Sequence, residues 1–332
     1  MIIELKNDIS PEKLAELAAQ VKAFHIMDGE KSVFITSSGM KEVPAELENY
    51  AKNSWAMPND MQLASREYHP KTREVTIGNV TIGGNTGNTI VIAGPCSIES
   101  ETQITQSSEM LKSHGLTALR AGCYKPRTSP YSFQGMGLKG LKLLAKMREK
   151  YDLSVVTEVR DATHVQDVIE YSDVIQVGAK AMYDQGILRA CAKTNKPVLI
   201  KRGFGTTTQE CVQAAEFVLS GGNTNVMLCE RGLRTFEPNT RFTLDLCGVA
   251  WFKEKTNLPV ILDPSHAMGY RYGVPDLTRA CTAMGVDGLL IEVHPDPSVA
   301  KSDASQQLDH DMFADLLKSL PPVAEAVGRK IV

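Results

Sequence analysis

Residues 198–231 read VLIKRGFGTTTQECVQAAEFVLSGGNTNVMLCER, and the order of apolar and charged residues in this stretch decides the fold. An apolar run at 198–201 ends on Lys201-Arg202, a helical stretch follows, and a second run at 226–229 ends on Glu230-Arg231. Strands that are apolar on both faces suit a parallel sheet covered by helices. The same unit recurs outward in both directions, with runs at 89–93, 118–122, 154–157 and 174–177 before it and at 260–262 and 288–293 after it. Eight such runs with helical stretches between them favour an α/β fold closed into a (β/α)8 TIM barrel. An open, doubly wound sheet is the alternative. No Gly-x-Gly-x-x-Gly follows the first run, so a dinucleotide-binding version of that alternative has no support.

The 332 residues exceed a barrel of roughly 250 by the size of one small module. Before the barrel, residues 2–5 read as a strand, and Ser10-Pro11 caps a helix in which Leu14, Leu17, Val21 and Phe24 recur at helical spacing. A β-branched and aromatic run at 33–36, a helix opened by Pro44, and a last strand at 61–64 complete a ferredoxin-like βαββαβ pattern. Residues 73–82 alternate around Gly78-Asn79 as a hairpin. The expected division is therefore residues 1–70 as the small domain and 71–332 as the barrel with its hairpin.

A net charge of −3 offers no general attraction to nucleic acid or a membrane surface, and small ligands are the expected partners. No stretch approaches the ~20 consecutive apolar residues of a membrane span, and the first residues lack a secretory pattern, so a cytoplasmic location is expected. The seven cysteines are scattered along the chain, which argues against a disulfide framework and for buried thiols, with Cys96 set apart by its position.

In such barrels ligands bind at the C-terminal strand ends. Those ends carry Gly94-Pro95-Cys96-Ser97, Arg120 followed by Lys125-Pro126-Arg127-Thr128-Ser129, Glu158, Lys180, Lys201-Arg202, Glu230-Arg231, Asp263-Pro264-Ser265-His266, and Glu292-Val293-His294 with Asp303 beyond. Two chemistries overlap in this set. The Lys and Arg side chains suit a substrate with several phosphate and carboxylate groups, although single Lys and Arg residues on loops are commonly only solvated. Lys201 also admits a Schiff-base reading. Cys96, His266, Glu292 and Asp303 combine thiolate, imidazole and carboxylate, a mixture suited to Mn, Fe, Co or Zn rather than Ca or Mg. His294 shares a strand face with Glu292 and could compete for a ligand or supporting role.

Taken together, Ala93-Gly94-Pro95-Cys96-Ser97, Lys125-Pro126-Arg127-Thr128-Ser129-Pro130, Leu199-Ile200-Lys201-Arg202-Gly203, Leu228-Cys229-Glu230-Arg231-Gly232, Asp263-Pro264-Ser265-His266 and Ile291-Glu292-Val293-His294-Pro295 resemble the 3-deoxy-D-arabino-heptulosonate 7-phosphate (DAHP) synthases, in the type I beta form with an N-terminal ferredoxin-like domain. The resemblance implies a transferase that condenses phosphoenolpyruvate with erythrose 4-phosphate at the start of the shikimate pathway. It implies one divalent transition metal per subunit (Mn2+, Fe2+, Co2+ or Zn2+) on Cys96, His266, Glu292 and Asp303. It places phosphoenolpyruvate on Arg120, Lys125, Ala179, Lys180, Lys201 and Arg231, and erythrose 4-phosphate on Lys125, Pro126, Arg127 and Thr128. Lys125 and Glu158 are the expected catalytic residues, with Glu158 positioning water.

The small domain is expected to mediate feedback inhibition by an aromatic amino acid, with His25 the nominated regulatory residue, in a homotetramer or homodimer. Supporting assembly alone is the rival role for that domain. The 3-deoxy-D-manno-octulosonate 8-phosphate synthases, which use arabinose 5-phosphate, are the alternative by chemistry. A catalytically inactive, effector-binding barrel is the alternative of another class.

Overall fold

The computed structural model describes residues 1–125 and 129–332, so Pro126, Arg127 and Thr128 lie outside the described residues. The N-terminal part is an antiparallel sheet built from β1 (Ile2–Leu5), β2 (Phe24–Asp28), β3 (Lys31–Ile35) and β4 (Ala51–Trp55), with helix α1 (Pro11–Val21) between the first two strands. The strand order β2-β3-β1-β4 is that of the ferredoxin-like arrangement. Its second helix is reduced to one 3-10 turn at Ala45–Leu47.

Three local expectations change. Helix α1 stops before Phe24, because Lys22 takes a left-handed conformation (φ 54°) that ends the helix, and Phe24 instead opens β2, 64% exposed. The strand β2 itself was not foreseen. The last strand is Ala51–Trp55 rather than residues 61–64, since the backbone N–H groups of Gln62, Leu63 and Ala64 donate to the Glu216 carboxylate instead of to a neighbouring strand.

The hairpin β5 (Glu74–Ile77) and β6 (Val80–Gly83) turns at Gly78-Asn79, with Ile77 opposite Val80. Gly78 has φ 60°, and a Cβ there would lie 2.2 Å from Ser154 Oγ, so only glycine fits the turn. Val75, Ile77 and Ile82 of the hairpin pack into the barrel interior and plug the end away from the strand C-termini.

The barrel strands are β7 (Asn88–Gly94), β8 (Ala118–Arg120), β9 (Ser154–Val159), β10 (Val174–Val177), β11 (Val198–Lys201), β12 (Val226–Glu230), β13 (Val260–Leu262) and β14 (Gly288–Glu292), all parallel. Pairing of β14 with β7, from Gly288 opposite Ile90 to Glu292 opposite Gly94, closes the ring. Alternation divides the apolar side chains. Ile90, Ile92, Leu199, Met227 and Leu290 fill the interior, while Val91, Ala93, Ile200, Leu228 and Ile291 pack outward under the helices. The outer helices are α2 (Glu101–Ser113), α3 (Gly137–Tyr151), α4 (Val165–Tyr171), α5 (Gln185–Ala192), α6 (Thr208–Leu219), α7 (Leu246–Lys255), α8 (Pro264–Met268), α9 (Val274–Ala283) and α10 (His310–Ala326), and a final strand β15 (Lys330–Ile331) pairs with β7.

One face of the N-terminal sheet (Ile2, Ile26, Val33, Ile35) joins the core that surrounds the barrel. Polar contacts hold it there: Arg73 forms a two-pronged pair with Asp28 at 2.7 and 3.0 Å and bonds to Asn257 Oδ1 at 3.1 Å. Among the described residues, no helix is long and apolar enough to cross a membrane.

Candidate active site

The first strand of the barrel ends at Gly94, whose φ of 144° and close approach to Arg120 O (2.3 Å from where a Cβ would sit) leave no room for a side chain. The chain then turns so that Cys96 is fully buried at the mouth. The eighth strand ends on Glu292, also fully buried. After the seventh strand, Asp263 caps α8 by accepting from His266 N at 2.9 Å, and Pro264 occupies its first turn, which brings the His266 ring over the barrel mouth. Asp303, in the loop after β14, has a left-handed backbone (φ 47°).

These four residues converge. One donor atom from each of Cys96, Glu292 and Asp303 lies within 4.8 Å of the others. His266 Nε2 is 3.5 Å from Glu292 Oε1 and 3.8 Å from Asp303 Oδ2. Its Nδ1 lies 2.7 Å from Asp263 Oδ2, an ion-pair distance without the alignment of a hydrogen bond. Such a sulfur, nitrogen and oxygen donor set could hold a divalent transition metal.

Burial, then the Glu292 carboxylate, push the Cys96 thiol up to about 12, so a thiolate there calls for a cation. Burial also pulls the His266 ring toward its neutral, metal-binding form, opposed by Asp263 and Glu292. For Glu292 and Asp263 burial opposes ionisation, but it is outweighed by His266 together with Arg120 for the first and Lys201 for the second, and both carboxyls stay below their usual range.

A cavity of about 480 Å3 opens beside this cluster. Among the described residues six cations line it: Lys125, Lys180, Lys201, Arg231, Arg234 and Arg241. His266, Asp303, Glu158, Ala179 and the rings of Phe204 and Phe242 complete the wall. Lys125 Nζ donates to Cys96 O at 3.1 Å and sits 3.0 Å from its sulfur. Lys201 Nζ pairs with Asp263 Oδ2 at 2.5 Å. Glu158 accepts from Gln176 Nε2 at 2.8 Å. The Arg231 guanidinium stands 4.3 Å from the centre of the Phe242 ring, and its Nε is buried with no partner among the described residues. An orphaned, desolvated donor of this kind is what an anionic ligand would satisfy.

Of the residues singled out in the sequence, Lys125, Glu158, Ala179, Lys180, Lys201, Arg231, His266 and Asp303 line the cavity. Arg120 lies beneath it, donating to Glu292 Oε1 at 2.8 Å and to Pro95 O at 2.7 Å. Arg202 does not join the cavity: strand alternation turns it outward, where it pairs with Glu230 at 3.0 Å and Asp245 at 2.8 Å. His294 accepts from Asp296 N at 3.0 Å and faces Glu99 at 3.7 Å, away from the donor cluster. His25 is in the N-terminal sheet, with Nε2 2.9 Å from Ser32 Oγ and its ring edge-on to Phe34. The substrate expectations for Pro126, Arg127 and Thr128 fall outside the described residues.

Sequence reading missed Phe204, Arg234, Arg241 and Phe242. The three last belong to the loop after β12, where an isolated bridge between Leu233 and Thr243 folds the chain back over the mouth. Their position after a strand end was the available signal.

Comparison with known proteins supplies the family. Residues 62–327 match the model of the DAHP synthetase I family. The chain is 44% identical over 270 residues to a phospho-2-dehydro-3-deoxyheptonate aldolase of Thermotoga maritima, covering 81% of this chain and 79% of that one. It is 34% identical to a 2-dehydro-3-deoxyphosphooctonate aldolase of Bordetella bronchiseptica, covering 69% of this chain and 88% of that one. The crystal structure of the Thermotoga maritima DAHP synthase superposes with a TM-score of 0.80 at 38% identity, covering 100% of this chain and 99% of that one. A truncated form of 3-deoxy-D-arabino-heptulosonate 7-phosphate synthase from Thermotoga maritima gives 0.76 at 40% identity, over 81% of this chain and 98% of its own. On the match across the barrel and these relatives, this enzyme belongs to the DAHP synthetase I family.

Proposed function

We propose that the enzyme condenses phosphoenolpyruvate with D-erythrose 4-phosphate and water to give 3-deoxy-D-arabino-heptulosonate 7-phosphate and phosphate, the entry step of the shikimate pathway. The observation that carries this reading is the cavity lined by six cations among the described residues and built against the Cys96, Glu292 and Asp303 cluster, because two phosphorylated substrates bring more negative charge than any single surface cation could offset. The higher identity to a heptonate enzyme than to an octonate one favours the four-carbon sugar. So does superposition over the full chain, N-terminal sheet included.

In this reading Lys125, Lys180, Lys201 and Arg231 hold the carboxylate and phosphate of phosphoenolpyruvate, with Arg120 beneath. Pro126, Arg127 and Thr128 take the sugar phosphate. Cys96, His266, Glu292 and Asp303 would hold a divalent transition metal, which when bound supplies Lewis-acid polarisation of the aldehyde oxygen. C3 of the enol phosphate attacks the aldehyde carbon, the C=O π pair moves onto the aldehyde oxygen, and Lys125 protonates that oxygen, which remains on the carbon as a hydroxyl. Water adds at C2, losing its proton to Glu158. The phosphohemiketal then collapses: its C2–O bond to phosphate breaks as C2 becomes a ketone, and the hydroxyl proton leaves with the phosphate. The fixed cations stabilise the charge that moves during these steps.

The N-terminal sheet is proposed to bind an aromatic amino acid that inhibits the barrel, with His25 in or beside that site, in a homodimer or homotetramer. The decisive experiment follows phosphate release from phosphoenolpyruvate with erythrose 4-phosphate or arabinose 5-phosphate, after chelation and after Mn2+ is restored. Metal-restored turnover with erythrose 4-phosphate is expected. Turnover with arabinose 5-phosphate alone would replace the proposed sugar, and turnover that survives chelation would remove the metal.

A further inference from the structure

The loop that carries Asp303 also carries two adjacent buried amides, Gln306 and Gln307, each 1% exposed or less. Gln306 N–H donates to Asp303 O at 3.3 Å, so the two residues belong to one turn. The Gln306 side chain spans two charges: Nε2 donates to Glu292 Oε2 at 2.5 Å, and Oε1 accepts from an Arg241 guanidinium nitrogen at 2.5 Å. A carboxylate only accepts and a guanidinium only donates, so the partners themselves settle which end of the amide is which. The other oxygen of Glu292 is held by Arg120.

Arg241 closes the circuit. The same guanidinium nitrogen lies 3.6 Å from Asp303 Oδ2, and the side chain lines the cavity. Glu292, Gln306, Arg241 and Asp303 thus form a ring of contacts between the donor cluster and the cationic wall. Gln307 supports the opposite side, where its Oε1 accepts from Cys96 N at 2.9 Å. Only a neutral side chain with a donor and an acceptor can bridge this pair. A carboxylate at 306 would oppose Glu292, and an ammonium would oppose Arg241.

We propose that Gln306 is a positioning residue shared by both halves of the site: it orients the Glu292 carboxylate toward the cation and holds Arg241 against the anionic substrate, coupling cation affinity to anion affinity through one amide. This rests on the reading of Cys96, His266, Glu292 and Asp303 as a metal site. Partners that orient metal ligands alter affinity by roughly 10- to 100-fold.

The test uses the full-length protein and three variants: Gln306→Met, which removes both bonds at similar volume, Gln306→Glu, which keeps the acceptor for Arg241 but faces Glu292, and Arg241→Met. Mn2+ affinity is measured without substrates from the spin-resonance signal of the free ion. The KM for phosphoenolpyruvate is measured separately at saturating Mn2+. Gln306→Met is expected to weaken Mn2+ by roughly tenfold or more and to raise KM, while Gln306→Glu weakens Mn2+ at least as much and spares KM in comparison. Arg241→Met is expected to weaken Mn2+ several-fold by freeing Gln306, and the double variant Gln306→Met with Arg241→Met should fall short of the product of the single effects.

Mn2+ affinity within twofold of the parent in Gln306→Met overturns the inference. If that variant does not fold, the same result in the half-exposed Arg241→Met does so. Glu292→Gln is run in parallel: loss of Mn2+ there with none in the Gln306 variants defeats only the coupling, whereas unchanged Mn2+ binding in Glu292→Gln defeats the metal reading beneath it.

Discussion

Replacing Glu216 with alanine should loosen the attachment of the N-terminal sheet to the barrel. Glu216 is on the inner face of α6, buried, and accepts from Gln62 N at 2.7 Å, Ala64 N at 2.9 Å and Leu63 N at 3.2 Å. Gln62 in turn donates to Thr36 O at 2.8 Å at the end of β3. Alanine leaves three buried backbone donors without an acceptor, at a cost of roughly 3 to 5 kcal/mol in total. For a chain of this length unfolding as one unit, that is a fall of roughly 4 to 7 °C in melting temperature.

The pH dependence has a definite sign. Burial raises the Glu216 carboxyl from 4.5 to about 7, against the pull of the three amides and of Arg73. Between those values the folded chain keeps a proton that the unfolded chain has released, so stability falls as pH rises from 4.5 to about 7. The full effect is roughly 3 kcal/mol. Glu216→Gln has no proton to lose and keeps an acceptor for the two shorter bonds. Its denaturant-derived stability relative to the parent should therefore improve steadily across that window. Parallel stability curves for parent and Glu216→Gln from pH 4.5 to 8, or an alanine cost under about 1 kcal/mol at pH 5, would refute the reasoning.

Two further outcomes are expected. Gly78→Ala meets both a left-handed φ and the Ser154 hydroxyl, so a stability loss of roughly 2 to 3 kcal/mol in urea titration is expected. Its KM values should be unchanged, because the hairpin plugs the end of the barrel remote from the cations. Arg231→Met removes a buried cation that has an unpartnered Nε and a proton affinity lowered chiefly by burial; the KM for phosphoenolpyruvate should rise at least roughly tenfold while the melting temperature stays level or increases, and a destabilised variant with normal KM would make Arg231 structural.

The barrel was readable from the chain because parallel strands buried on both faces leave unbroken apolar runs, and all eight runs are strands in the structure. Several strand ends were readable for the same reason, since the runs at 118–120, 154–157, 198–201, 226–229, 260–262 and 288–291 stop where a charged residue stands. The N-terminal strands were less clear. In β2, Phe24, His25 and Met27 are exposed around a buried Ile26, and β4 reads Ala51-Lys52-Asn53-Ser54-Trp55 with no buried residue. Short, half-solvated strands carry no period that separates them from loop, and the more apolar segment at 61–64 was a better strand by composition than by contact.

What the sequence alone determined about this protein is therefore its barrel class and the residue types gathered at one end of it, because these follow from burial and alternation along the chain. The tertiary structure decided which of those residues share a site. Lys201 and Arg202 are adjacent in sequence, yet one faces the cavity and the other pairs outward with Glu230 and Asp245. Arg241 and Gln306 come from loops with no repeating geometry, and their place beside Glu292 and Asp303 depends on how those loops close over the mouth. Contacts between residues so far apart in sequence are set by packing of the whole barrel, which no local pattern encodes.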